Sequence, residues 1–379
     1  MSTPPPTIVI RTTPRISAIR LVLAIFAGLI ALFFGLLVLL LIGIETGPIA
    51  LLLGLLTATL PVPIYVALVL WIDRYEAEPL WMLGTAFCWG ALFAPFVAFL
   101  VNTVAATIVA VLTDPKTGEA FAAVISAPIV EETGKALILF IFFFWKKDEF
   151  DGVLDGIVYA SLSALGFAMT ENILYYGRAT LGGTDTLTAT LVIRGFFAPF
   201  SHPLFTSLTG IGLGLSRQSS NTAVKLLTPI VGLLMAIFMH SLWNGAAVFS
   251  GFLFVFIYIV VMIPAFIIML VVIAFALRRE GQVVREHLVI DLERGFLTAE
   301  EYKELGSILG RMGSSYNAFS SSGVKGWRAR RRFNQLASEL AFHRNRVARG
   351  VYSANEDVLS QETAYLHALQ GLINELRTR

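Results

Sequence analysis

Charged residues and cysteines are the two components that this sequence has least of. Only 14% of its 379 residues are charged and 56% are hydrophobic, whereas an average soluble domain has about 25% charged residues. This shortage excludes an ordinary soluble fold for most of the chain. The single cysteine, Cys88, cannot form a disulfide within the chain, so a disulfide framework is also excluded.

The charge that is present is unevenly distributed, because residues 18–278 are mostly apolar and residues 279–379 are mostly polar. A membrane-crossing helix needs about 20 apolar residues, and the first region contains eight such runs. We therefore predict an all-α fold, a polytopic transmembrane helix bundle of about eight spans with a small C-terminal cytoplasmic helical bundle. The predicted spans are Ile19–Ile44, Ile49–Ile72, Leu80–Leu112, Ala120–Trp145, Val153–Tyr176, Leu187–Leu215, Ala223–Val248 and Phe252–Leu277.

The two ends of the chain are expected on the cytoplasmic side of the cell membrane. With eight spans, all four basic clusters at span ends fall on one side, which the positive-inside rule assigns to the cytoplasm. Residues 1–17, rich in proline and threonine, are predicted to be a disordered cytoplasmic N-terminus. The clusters are Arg11, Arg15 and Arg20; Lys146 and Lys147; Arg217 and Lys225; and Arg278, Arg279 and Arg285.

The polar tail has the periodicity of three amphipathic helices. Thr298 with Glu301, and Ser353 with Glu356, form capping-box patterns that predict the starts of the first and third helices. The stretch SSYNAFSSSG, residues 314–323, is predicted to be a loop before the second helix. None of the soluble-enzyme motifs that bind nucleotides or metals occurs in the tail.

Eight basic residues lie on the second tail helix. At the cytoplasmic membrane surface, each basic residue can contribute roughly 1 kcal/mol of attraction to anionic lipid. A solvated helix face is the alternative interpretation, and nucleic-acid binding is unlikely without a recognisable module. The residues are Lys325, Arg328, Arg330, Arg331, Arg332, Arg344, Arg346 and Arg349.

Inside the predicted spans, a few strongly polar residues occur at similar depths. At 1.5 Å per residue, most of them fall in the middle-to-outer half of the membrane, although successive helices run in opposite directions. This convergence predicts one polar cavity that opens to the extracytoplasmic side. The residues are Glu131, Glu132, Lys135, Glu171, Asn172, Arg194, His202, His240 and Asn244, of which Arg194 is expected to reach the membrane surface.

Spacing along the helices adds three expectations. Glu131 and Lys135 are i,i+4 neighbours and are expected to pair on one face. The adjacent Glu131 and Glu132 are about 100° apart, so that one can face the cavity while the other bonds to a neighbouring helix. Pro128 cannot donate a backbone hydrogen bond, which predicts a kink or an exposed carbonyl one turn earlier.

These residue types match two ways of hydrolysing a peptide bond. A buried carboxylate can act as the general base on water, with histidine or asparagine stabilising the oxyanion. Alternatively, Glu171, His202 and His240 form a zinc-ligand set of two histidines and one carboxylate. The absence of HExxH excludes a zincin. Intramembrane ionisable groups also build proton- or ion-coupled transporters, and interhelical pairing in a non-catalytic membrane scaffold is a third alternative.

The order of four motifs resembles the PrsW family of intramembrane proteases, which is related to the CAAX prenyl endopeptidases and bacteriocin-processing enzymes. The motifs are EETGK at residues 131–135, FAMTEN at 167–172, the isolated His202, and HSLWN at 240–244. The loop DRYEAEP, residues 73–79, also fits. The resemblance covers about residues 60 to 250 and leaves the tail outside.

This resemblance implies an intramembrane endopeptidase that acts on a membrane protein, with an anti-sigma factor cut on its extracytoplasmic side as the family's best-known substrate. It implies that Glu131 is the water-activating base and Glu132 a supporting or alternative base, with His240 and Asn244 as oxyanion stabilisers. Glu171 stands where prenyl endopeptidases have histidine, which argues against a prenylated substrate. The full predicted catalytic set is Glu131, Glu132, Glu171, His202, His240 and Asn244, supported by Lys135 and Asn172. A metal-free mechanism is preferred over zinc.

Overall fold

The structure is a computed structural model that describes residues 18–350 and 356–377. Within these residues every regular element is a helix, which confirms the all-α prediction. The predicted disordered segment 1–17 and the predicted cap Ser353 lie outside the described residues. The chain divides into an apolar unit, residues 22–73 and 78–273, and a polar unit that contains residues 74–77 and the chain from Ala274 onward.

Among the described residues, thirteen helices begin before the polar tail, and four π-helical turns interrupt or join them. The helices are α1 Ala18–Thr46, α2 Pro48–Thr59, α3 Val62–Ile72, α4 Leu80–Cys88, α5 Ala94–Leu112, α6 Pro115–Phe121, α7 Ala127–Trp145, α8 Val153–Leu181, α9 Thr184–Leu191, α10 Ser201–Gln218, α11 Thr222–Phe249, α12 Gly251–Ile257 and α13 Ile263–Glu293. The π-helical turns are Trp89–Phe93, Ala122–Ser126, Val192–Phe197 and Tyr258–Met262.

Six helical segments among the described residues are long and apolar enough to cross a membrane, so the predicted count of eight spans is not confirmed. They are Ile25–Thr46, Pro48–Ile72, Leu80–Leu112, Val153–Leu181, Thr222–Phe249 and Gly251–Glu293. The predicted span Ala120–Trp145 is helical but carries Glu131, Glu132 and Lys135, which reduce its hydropathy. This charged helix is nevertheless continuous from Pro115 to Trp145.

The predicted span Leu187–Leu215 is wrong as a single helix. The helical segment from α9 ends at Phe197, and α10 begins at Ser201. Pro199 explains the break, because proline lacks a backbone N–H and disfavours helical conformation in the residue before it. Ala198 accordingly leaves helical geometry, with φ of −123° and ψ of 28°. The break places irregular backbone beside the polar cavity described below.

Helix α8 is the central element of the apolar unit and is buried along most of its length. Two of its glycines permit close helix packing. Gly156 lies against the backbone of Gly210 on α10, and Gly166 lies against the backbone of Phe87 on α4. A Cβ at either position would meet backbone atoms, so small residues are required where these helices cross. This packing fixes α8, whose later turns carry the FAMTEN motif.

The polar unit contains α14 Ala299–Leu305, α15 Ile308–Ala348 and α16 Glu356–Arg377. The predicted capping box at Thr298 is confirmed, because its hydroxyl accepts from the Glu301 N–H at 3.1 Å while the Glu301 carboxylate accepts from the Thr298 N–H at 2.8 Å. The predicted loop at residues 314–323 is wrong, because this stretch is helical and only Gly323, at φ 62°, interrupts it. The hydroxyls of Ser314, Ser315 and Ser321 donate to backbone carbonyls three or four residues earlier, which is compatible with a helix.

Ion pairs occupy part of the basic cluster on α15. Arg344 binds Asp291 and Glu362, and Arg330 binds Glu304. These arginines hold the polar unit together, so they are not free to form a solvated basic face. Anionic-lipid binding by the remaining basic residues stays a prediction.

Candidate active site

The backbone before Glu131 is shaped by a π-helical turn and a proline. In this turn the N–H of Ala127 bonds to the carbonyl of Ala122, five residues earlier. The same spacing would pair the carbonyl of Ala123 with Pro128, which has no N–H. Asn244 on α11 supplies the missing donor, since its Nδ2 donates to the Ala123 oxygen at 2.8 Å. The exposed carbonyl predicted from Pro128 is therefore present, and Asn244 uses one amide hydrogen to satisfy it.

Glu132 is the acceptor at the centre of a buried network. Its Oε1 accepts from Lys135 Nζ at 2.5 Å and from His240 Nδ1 at 2.9 Å, and its Oε2 accepts from Thr206 Oγ1 at 2.8 Å. Both members of the Glu132–Lys135 pair are fully buried. Every oxygen of this carboxylate is used, as expected of a buried charge whose role is structural.

The predicted pairing of Lys135 with Glu131 is wrong, because Lys135 pairs with Glu132. Both spacings, i,i+3 and i,i+4, bring helical side chains together, so neighbouring helices decide between them. Lys135 Nζ also donates to His202 Nδ1 at 3.2 Å and lies 4.5 Å from the ring centre of Phe167. These contacts draw the lysine away from Glu131 and towards α8 and α10.

A second group of polar residues surrounds Glu171. Arg194 makes an ion pair with the Glu171 carboxylate, and its Nε donates to Asn172 Oδ1 at 2.6 Å. The guanidinium lies 3.8 Å from the ring centre of Tyr175. The side chain of Arg194 is thus bound by two acceptors and an aromatic ring of α8, while its expected reach to the membrane surface stays a prediction.

The hydrogen bonds assign one tautomer to each buried histidine. His202 Nδ1 accepts from Lys135, so its Nε2 carries the hydrogen and donates to Glu171 Oε2 at 2.9 Å. His240 donates from Nδ1 to Glu132, which leaves an unprotonated Nε2. This nitrogen lies 3.9 Å from Glu131 Oε2. The two histidines thus present different chemistry, although their rings are only 5.1 Å apart.

Glu131 differs from its neighbour in having an oxygen without a partner. Its side chain is only 9% exposed, yet Oε2 has no hydrogen-bond partner among the described residues. Glu131 lines a cavity of about 480 Å³, whereas Glu132 bonds to α10 and α11. The expected division of the two glutamates is therefore present in the structure. Of the other predicted site residues, Glu171, Asn172, His202 and Asn244 also line this cavity.

One group of side chains matches the donors of a metal site. One oxygen of Glu131 and one nitrogen each of His202 and His240 lie within 4.8 Å of one another. The zinc-ligand set predicted from the sequence contained Glu171, whereas the set in the structure contains Glu131. Glu171 is engaged by Arg194 and His202, whereas Glu131 Oε2 has no hydrogen-bond partner among the described residues and lies 3.9 Å from His240 Nε2. The set fits zinc, which takes histidine nitrogens and carboxylate oxygens, provided that His202 releases Lys135 or Glu171.

Sequence reasoning missed Thr206 and the partners of Arg194. Thr206 lies four residues after His202, so helical spacing could have identified it as a polar side chain on the same face. No sequence pattern could have identified the partners of Arg194. Its acceptors lie on a different helix, α8, and Arg194 itself lies in a π-helical turn.

Comparison with known proteins identifies the family. Residues 78–269 match the model of the PrsW family of intramembrane metalloproteases. The chain belongs to this family. With six apolar helices of sufficient length, it is a multi-pass membrane protein of that family. No solved structure matches the chain.

Three bacterial relatives, each named Protease PrsW, support this assignment. The protein of Geobacillus kaustophilus is 36% identical over 145 residues, which are 38% of this chain and 58% of that protein. The proteins of Oceanobacillus iheyensis and Bacillus subtilis are 32% and 30% identical over 44% and 46% of this chain. The alignments cover 70% and 71% of their lengths, but less than two thirds of the Geobacillus protein.

Proposed function

We propose that this chain is an intramembrane endopeptidase that hydrolyses a peptide bond of a membrane-associated protein. The observation that carries the proposal is at Glu131, which lines the cavity and whose buried Oε2 has no partner among the described residues and lies 3.9 Å from His240 Nε2. An acceptor left incomplete in this way can bind a water molecule. The family match supports proteolysis as the use of that water.

In the proposed reaction, Glu131 takes a proton from the water whose oxygen attacks the carbonyl carbon of the substrate. Glu131 then returns this proton to the nitrogen of the leaving amine as the C–N bond breaks. In the tautomer described above, His240 Nε2 carries no hydrogen and can accept a hydrogen bond from the water. We therefore assign His240 to orienting the water rather than to donating to the oxyanion. The second amide hydrogen of Asn244 is the candidate oxyanion donor.

Glu131, His202 and His240 are the residues that would hold a zinc ion. Such an ion would supply a bound water with a pKa near 7 and a Lewis acid for the substrate carbonyl. Glu132 would orient His240 in either case, whereas His202 would have to release Lys135 or Glu171 to bind the ion. The family description favours the metal, while the complete engagement of both His202 nitrogens favours the metal-free glutamate mechanism.

An anti-sigma-factor-like membrane protein, cut on its extracytoplasmic side, is the substrate class that we favour. The predicted orientation, with both termini cytoplasmic, would place the cavity in the outer half of the membrane. Reporter fusions at Lys147 and at Thr184 test this orientation, because the proposal requires the first to report a cytoplasmic and the second an extracytoplasmic position.

The function is tested by comparing membrane-protein cleavage products in cells that express the wild type, Glu131→Gln or Asp185→Asn. Asp185 is an exposed carboxylate in the first turn of α9 and serves as the matched control. We expect new protein termini with the wild type and the control but none with Glu131→Gln. Identical termini in all three would contradict the proposal. If purified protein instead carries ions across liposomes without cleaving anything, the transporter alternative replaces it.

The catalytic type has a separate readout. Metal analysis of the purified protein should give less than about 0.1 zinc per chain if the mechanism is metal-free. One zinc per chain that is lost in His240→Ala would establish the metal site formed by Glu131, His202 and His240.

A further inference from the structure

Glu131 lies between two cavities. The cavity described above is bounded on one side by α10, α11 and the segment that contains Arg194. A second cavity of about 350 Å³ is bounded by α1, α5 and α6. Residues common to both are Ala123, Ala127, Glu131, Glu171 and Tyr175. The two cavities therefore adjoin at a rim formed by these residues, which carries the proposed catalytic carboxylate.

The rim has a simple helical origin. Ala127 and Glu131 are i,i+4 neighbours on α7, and Glu171 and Tyr175 are i,i+4 neighbours on α8, so each pair stacks along one face of its helix. The two facing helices thus form the rim, with one cavity on each side. A substrate whose peptide bond meets Glu131 would extend across this rim from one cavity to the other.

The walls of the two cavities differ in chemistry. The first contains the polar groups of Asn172, Arg194, Ser201 and Asn244. The second is lined mainly by apolar side chains, with α1 and α5 contributing most of them. These include Val38, Ile42, Pro95, Phe99 and Leu174. A cavity of about 150 Å³ lined by apolar side chains holds a benzene molecule, so the second space can accommodate one large apolar side chain.

An extended peptide fits this arrangement because its side chains alternate between opposite faces. When the scissile bond lies at Glu131, the side chains that flank it point to opposite sides of the rim. We propose that the second cavity is a specificity subsite that binds a large apolar side chain directly adjacent to the scissile bond of the substrate. This inference rests on the proposed peptidase function and adds the substrate class: a membrane-associated segment cut next to an apolar residue.

Two threonines on α5 provide a matched pair for testing the subsite. Thr103 is exposed and lines the second cavity. Thr107, one turn later, is also exposed and lines neither cavity. Thr103→Leu should narrow the subsite, whereas Thr107→Leu adds the same bulk elsewhere on the same helix. Phe99→Ala should enlarge the subsite and change its preference in the opposite direction.

The experiment uses purified full-length protein in detergent and a proteome-derived peptide library, with cleavage sites read by mass spectrometry. We expect the wild type to cut next to Leu, Ile, Met or Phe on one side of the bond. Thr103→Leu should lower the preference for these residues over Ala by about tenfold, as expected when a pocket loses room for a methylene or two. Thr107→Leu should keep the wild-type preference, and Phe99→Ala should shift it towards Phe and Trp.

The possible results separate the inference from the function on which it rests. Cleavage that depends on Glu131, with the wild-type profile in both Thr103→Leu and Phe99→Ala, overturns the subsite and leaves the peptidase intact. Absence of Glu131-dependent cleavage overturns both. As a readout that needs no turnover, Glu131→Gln protein should cross-link a photo-leucine peptide to α1 or α5. Cross-linking confined to α10 and α11 would contradict the subsite.

Discussion

Two buried carboxylates, Asp291 in the polar tail and Glu131 in the apolar unit, differ in how completely their oxygens are hydrogen-bonded. In the tail, Asp291 accepts from Arg344 at 2.5 and 3.2 Å, and Arg344 also binds Glu362 and a backbone carbonyl. In the apolar unit, Glu132 is similarly complete, but the adjacent Glu131 keeps an oxygen without a partner among the described residues. Complete networks stabilise a fold, whereas an incomplete buried acceptor is a position where a ligand or water can act.

The comparison predicts its largest effect at Glu131. Glu131→Gln should reduce cleavage by about a thousandfold, because loss of a general base typically costs 10²–10⁴-fold. The amide has almost the same shape and breaks no hydrogen bond, so the free energy of unfolding should change by less than about 1 kcal/mol. Initial rates and chemical denaturation of the detergent-solubilised protein measure both quantities. A large loss of stability would remove the distinction between the two glutamates.

Glu132→Gln should show the opposite result, with a larger loss of stability and a smaller loss of activity than Glu131→Gln. Glu132→Gln leaves the buried Lys135 without its counter-charge, and breaking a buried ion pair on one side costs about 3–5 kcal/mol. Denaturation curves should show this loss in Glu132→Gln. The double variant Glu132→Gln with Lys135→Met should recover part of it, because the unpaired charge is then removed. Additive losses in the double variant would contradict the assigned pairing.

A smaller effect is expected in the tail. Arg344→Met removes the donors to Asp291 and should destabilise the folded state by about 1–3 kcal/mol, the cost of unsatisfied buried acceptors. The cleavage rate per folded molecule should stay at the wild-type value, since the hydrogen-bond partners found for Arg344 belong to the polar unit itself. The exposed Arg328→Met is the control and should change the unfolding energy by less than about 0.5 kcal/mol.

The smallest effect concerns the pH dependence of stability. Asp73 follows α3, and burial raises its pKa to about 7, although a hydrogen bond from the Glu78 N–H acts in the opposite direction. A carboxyl with a raised folded-state pKa binds more protons when folded, so its contribution to stability is lost as pH rises from about 4 to about 7. Asp73→Asn should flatten this part of the melting-temperature profile. An unchanged slope would show that Asp73 does not contribute.

The sequence was sufficient to predict the helical architecture and the polar residues that surround one cavity. It was insufficient where two side-chain pairings or two backbone conformations differ little in energy. Lys135 could reach either glutamate from its own helix, and contacts from α8 and α10 decide the outcome. Hydropathy averaged over residues 187–215 also concealed the break at Ala198, which one proline produces. In the tail, residues 314–323 looked like a loop by composition, but their hydroxyls bond to helical carbonyls.

The most direct measurement of the central claim compares Glu131→Gln with Glu132→Gln under conditions in which both remain folded. Initial cleavage rates are determined on the same membrane substrate and divided by the folded fraction from denaturation curves. We predict that Glu131→Gln retains no more than about a thousandth of the wild-type rate per folded molecule, with Glu132→Gln well above it and less stable. A reversed order, with Glu132→Gln inactive and Glu131→Gln active, would contradict the account.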